Sequence, residues 1–89
     1  MRLNPPAWEV RQLVEHTFLH LGLSEQTLEN LAETILLREG RYLARSYRVA
    51  NFMAMWLVEV GILQFYDGQG RMLCTINLFQ EKKPARAAA

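Results

Sequence analysis

YRVANFMAMWLVEVG (residues 47–61), running into ILQFYDGQGRMLCTINLF (62–79), is the stretch whose reading decides the fold. At about 100° per residue, Ala50, Met53, Ala54, Leu57 and Val60 fall on one side, the arrangement of a helix with one buried stripe. Gly61 stands where such a helix stops. Beyond it, residues 62–66 and 71–79 alternate apolar and polar side chains around Asp67-Gly68-Gln69-Gly70, whose glycines supply the positive φ of a short hairpin loop. The stretch therefore reads as a helix from about 46 or 47 to 60 and a β-hairpin with Met72, Cys74, Ile76 and Leu78 pointing inward.

Toward the N-terminus, residues 41–46 (RYLARS) alternate too briefly to separate a strand from an early helical turn, and a short extra strand near 41–45 is the expectation. Ser24 is placed to cap an earlier helix with Glu25 in its first turn. Leu28, Leu31, Ala32, Ile35 and Leu36 would be its inward stripe, and Gly40 its end. A first helix follows Asn4-Pro5-Pro6, with Val10, Leu13, Val14, Phe18 and Leu21 recurring at three and four, and ends at Gly22 in the left-handed conformation. The predicted fold class is α+β: a small three-helix domain followed by a C-terminal β-hairpin. It forms a single domain over 1–80, with 81–89 as a flexible, basic and Ala-rich tail.

WLVEVGILQFYDGQGRMLCTINL resembles the recognition-helix and wing half of winged-helix domains, in which a helix ends in Leu-x-x-x-Gly-Ile/Leu before a β-hairpin. The resemblance covers about residues 46–79 and is at the level of the superfamily. Winged-helix domains place a short strand between helices one and two, whereas the candidate strand here lies between helices two and three. The resemblance implies either DNA binding through helix three and the wing, or a role in protein association.

The outward side of helix three weighs these. It carries Arg45, Arg48, Asn51, Phe52, Met55, Trp56 and Glu59, polar at one end and strongly apolar in the middle. Base edges are read by Arg, Lys, Asn or Gln. Phe52, Met55 and Trp56 instead have the character of an interface centre or of a second core layer under another segment of the chain. The first functional expectation is accordingly a small non-catalytic domain acting by protein–protein association, as a homodimer or adaptor. Phe52, Met55 and Trp56 would anchor it, with Tyr47 and Tyr66 as flanking contacts. The alternative is a DNA-binding transcriptional regulator, with Arg41, Arg45, Arg48 and Asn51 on helix three or its approach and Gln69 and Arg71 at the wing tip.

Composition bounds these readings. At 89 residues with 51% hydrophobic content the chain is a single folded domain, and a net charge of +1 gives no long-range field for nucleic acid. A single cysteine, Cys74, excludes an internal disulfide framework and fits a cytoplasmic protein. The longest apolar run, residues 49–63, contains Asn51 and Glu59 and falls short of the ~20 residues of a membrane span, so no membrane association is expected. His16 and His20 lack the further ligands a metal site needs, and Cys74 sits at an inward position unsuited to a reactive thiolate. No catalytic or metal residues, no cofactor and no small-molecule substrate are expected.

Overall fold

The computed structural model describes residues 5–79 and shows a different architecture from the one expected. Two helices, α1 (Ala7–His20) and the one-turn α2 (Glu25–Leu28), precede strands β1 (Ala32–Arg38), β2 (Arg41–Val49), β3 (Phe52–Leu57), β4 (Ile62–Tyr66) and β5 (Met72–Asn77). The strands form one antiparallel sheet in sequence order, β1-β2-β3-β4-β5. This is not a three-helix winged-helix domain. The second and third predicted helices are replaced by strands; the first helix and the final hairpin are present.

The correction at residues 47–57 has a local cause. Ala50 and Asn51 form a two-residue loop, with Val49 opposite Phe52 across the hairpin. With that loop in place, Tyr47, Val49, Phe52, Ala54 and Trp56 occupy one face at period two. The expected helical stripe of Ala50, Met53, Ala54, Leu57 and Val60 fits a 3.6-residue period only while the loop goes unrecognised. Ala50 takes a φ of +53°, a conformation that L-residues adopt at a cost. The segment read as helix two fails likewise: after one turn capped by Ser24, whose side chain accepts a hydrogen bond from the Thr27 amide, the chain extends. Three residues of the expected inward stripe, Ala32, Ile35 and Leu36, lie exposed on β1. Glu39 and Gly40, at φ +54° and +77°, then turn β1 into β2 with the two positive values of a type I′ hairpin.

α1 follows the prolines, as expected; Asn4, its predicted cap, and the tail 81–89 lie outside the described residues. The helix ends in a Schellman motif. The Leu23 amide donates to the Phe18 carbonyl at 3.0 Å and the Gly22 amide to Leu19 at 3.1 Å, with Gly22 at φ +112°. Val10, Val14 and Phe18, spaced by four, are its buried residues. They join Leu28, Leu31, Tyr47, Val49, Ala54, Trp56, Leu63 and Phe65 in one core. Phe18 meets the rings of Phe52 and Phe65 edge-on, at centroid distances of 6.2 and 5.3 Å. One face of the sheet is thereby covered.

Candidate functional site: the two faces of the sheet

Residues directly opposite one another across antiparallel strands share a face, so the registers sort the sheet's side chains into two sets. On the side of α1, one row across the strands is Ile35, Arg45, Trp56, Leu63 and Ile76, and the next is Glu33, Tyr47, Ala54, Phe65 and Cys74. The other side has three rows. The first is Leu36, Ala44, Leu57, Ile62 and Asn77; the second Thr34, Ser46, Met55, Gln64 and Thr75; the third Ala32, Arg48, Met53, Tyr66 and Met72. No helix or strand among the described residues covers this second side. Met72 reaches it because the β4–β5 register shifts between Phe65 and Tyr66, leaving Leu73 as the extra residue. That shift overturns the expected inward position of Met72, which is 53% exposed.

An uncovered face of an antiparallel sheet ordinarily alternates toward polar residues. Here its first row is apolar from Leu36 to Ile62, and Met53 and Met55 extend the apolar surface. Ala44 and Ser46 are nevertheless buried. At the β1 end, Leu36, Leu43, Ala44, Met55, Leu57, Glu59 and Val60 line an open groove of ≈ 440 Å³. Glu59 is the acidic group of that groove; it pairs with Arg41 at 2.6 Å, both side chains being well exposed. Arg48 is the charged residue of the rows. It is exposed and has no ion pair among the described residues. The Tyr66 hydroxyl donates to Gln64 at 2.8 Å.

The covered face holds a polar cluster at the β1–β2 edge. Glu33 accepts from Arg11 of α1 at 2.9 Å and from Arg45 of β2. The Arg45 guanidinium lies 5.2 Å from the Tyr42 ring centroid and 6.0 Å from that of Trp56. Burial pushes the Glu33 carboxyl upward, but the hydrogen bonds from Arg45 and Arg11 and their charges outweigh it and hold the pKa below its ordinary value. Burial raises the Tyr47 phenol well above its usual range. The Tyr47 hydroxyl and the Trp56 indole nitrogen are buried without a hydrogen-bond partner among the described residues.

The predicted interface residues therefore divide. Met55 and Tyr66 lie on the uncovered face, whereas Phe52 packs on Phe18, and Tyr47 and Trp56 are buried in the core at 0% and 3% exposure. The predicted nucleic-acid set divides too. Asn51, Gln69 and Arg71 meet where the β2–β3 and β4–β5 loops line a common hollow, and Arg71 pairs with Asp67 at 3.2 Å. Arg41 pairs with Glu59 beside the opposite-end groove, Arg45 is engaged under α1, and Arg48 is on the uncovered face. Leu36, Met53, Leu57, Ile62 and Glu59 were not singled out as interface residues. The signal that finds Met53 and Leu57 is the odd–even alternation of Met53, Met55 and Leu57 against Phe52, Ala54 and Trp56; Leu36 and Ile62 join them through the strand registers.

A second groove, ≈ 660 Å³, runs along the solvent side of α1 between Pro5, Glu9, Gln12, Leu13, His16, Leu19 and Leu78. His16 and His20 are exposed. Among the described residues no three His, Cys, Asp or Glu side chains are grouped to hold a metal ion, and no helix is long and apolar enough to cross a membrane. No protein-family model, no curated protein and no solved structure matches this chain.

Proposed function

We propose that this protein is a small non-catalytic association domain that binds another protein through the uncovered face of its sheet. The observation that carries this is the apolar row Leu36–Ala44–Leu57–Ile62, with Met53 and Met55 beside it, on the side of the sheet opposite α1. Apolar surface in one contiguous patch is what association surfaces present, and Met and Tyr are among the residues enriched at their centres. The face keeps the functional class expected from the sequence and changes the element that performs it. Duplex reading by helix three has no such element to use, and its candidate side chains are spread over both faces and both ends of the sheet.

Binding of a hydrophobic-surface dye at low micromolar concentration tests whether the face is an accessible apolar surface. The dye binds the native chain, and Met55→Glu, which alters a half-exposed side chain and leaves the core intact, abolishes that binding while Trp56 fluorescence and far-UV circular dichroism stay unchanged. Dye binding that is absent from native chain sedimenting as a monomer at the same concentration, or equal in both proteins, refutes the assignment.

A further inference from the structure

The occupant of that face, which rests on the reading just given, is identifiable from size and charge. Five strands at ~4.8 Å and three same-face rows at ~7 Å spacing make a surface of roughly 24 by 20 Å. An isolated helix about 10 Å across covers less than half of that width, whereas a second sheet packed at ~10 Å covers all of it. The flat footprint is roughly 500 Å². Side-chain relief and the rim residues Val60 and Glu59 bring it toward the ~800 Å² per partner of a stable interface.

We infer that the face is covered by a second copy of this chain, packed sheet to sheet about a two-fold axis that crosses the strands over the Thr34–Ser46–Met55–Gln64–Thr75 row. Such an axis lays the first row of each copy on the third row of the other, as an isologous interface requires. Leu57 then meets Met53, Ile62 meets the Tyr66 ring, and Ala44 meets Arg48. The last pairing is the selective one. Ala44 is the short side chain in the wall of the apolar groove, so the groove has room for the aliphatic stem of an arginine. Glu59 at its rim, whose carboxylate already accepts from Arg41 of its own chain, has acceptor capacity left to receive the guanidinium as well. The exposed Arg48, which has no ion pair among the described residues, and the groove with an acid at its edge become two halves of one contact, made twice.

Sedimentation equilibrium at concentrations up to about 100 µM, a range that detects dissociation constants of micromolar strength, tests this on the full chain. The wild-type protein has twice the 10.3 kDa chain mass, and Met55→Glu has the monomer mass with its circular dichroism intact. Arg48→Glu and Glu59→Arg each raise the dissociation constant at least about tenfold. An equimolar mixture of these two restores the dimer, because each heterodimer regains both opposite-charge contacts. A folded wild-type monomer throughout the range overturns the inference, as does a dimer broken by Ile35→Lys at the β1 edge and not by Met55→Glu. Failure of the mixture to restore association overturns it as well. A folded monomer whose dye binding still depends on Met55 leaves the association reading standing for a different protein partner; loss of both signals removes the two together.

Discussion

Replacing Ala50 by glycine separates a hairpin from a helix by the sign of its effect. Ala50 is exposed and occupies the first position of the two-residue β2–β3 loop at φ +53°. An L-residue in that left-handed region is disfavoured by about 1–2 kcal/mol, which glycine does not incur. The glycine chain gains unfolded-state freedom worth about 0.4–1 kcal/mol, so the net expectation is a stabilisation of roughly 0.5 kcal/mol. In a helix interior the same substitution destabilises by about 0.8–1 kcal/mol. With about 4–8 °C of melting temperature per kcal/mol for a domain of this size, the hairpin raises the midpoint by about 2–4 °C and the helix lowers it by about 3–8 °C. Thermal unfolding by circular dichroism reads the difference, provided wild type and variant are compared at equal concentration, since association shifts the midpoint. A drop of several degrees refutes the strand assignment of residues 47–57.

Three further substitutions probe the packing. Gly61→Ala adds a methyl group at φ +66° that would lie 2.6 Å from the Phe79 ring, so the loop or the ring must move; urea unfolding should register a loss of about 2–3 kcal/mol, and a neutral result rejects this β3–β4 loop geometry. Tyr47→Phe removes a buried hydroxyl that has no partner among the described residues and should be neutral or stabilising by up to about 1–2 kcal/mol, where a large loss would show that the hydroxyl is bonded after all. Glu33→Gln should destabilise by about 1.5–3 kcal/mol at neutral pH by weakening the bonds to Arg11 and Arg45. The Glu33 pKa is lowered on folding, so its contribution is present above the ordinary value of 4.5 and is lost as pH falls through the folded-state value. The gap between wild type and Glu33→Gln should therefore narrow below about pH 4.5; a gap constant from pH 7 to pH 3 contradicts the pairing.

How much of this was legible in the sequence depends on what each segment required. α1 was readable because Val10, Val14 and Phe18 follow a single period and Gly22 marks the stop. The β4–β5 hairpin was readable from Asp67, Gly68 and Gly70, whose turn chemistry is local; Asp67 accepts from the amides of Gln69 and Arg71 as that chemistry predicts. Residues 47–57 were misread because the loop that resets their period is Ala50-Asn51, and alanine gives no warning of a left-handed φ. Residues 32–38 were misread because β1 is an edge strand whose Ile35, Leu36 and Leu37 remain exposed; its stability comes from pairing with β2, which no local pattern encodes. Apolar residues in excess of one buried stripe are what suggest association from the sequence. The face proposed for it was not legible, because assigning Phe52 and Trp56 to a helix surface placed on one side what the strand sends to the core, and sent Leu57 to the core when it belongs outside.

The central claim is that the apolar face opposite α1 is a contact surface between two copies. Isotope-filtered nuclear Overhauser measurements on a mixture of labelled and unlabelled chains test it most directly. The account predicts transfer between the Met53 methyl of one copy and the Leu57 methyls of the other, with none from the core residue Val14. A sample in which Met53 and Leu57 show only intramolecular transfer, or in which the cross-copy signals arise from the β1 edge at Ile35, contradicts it.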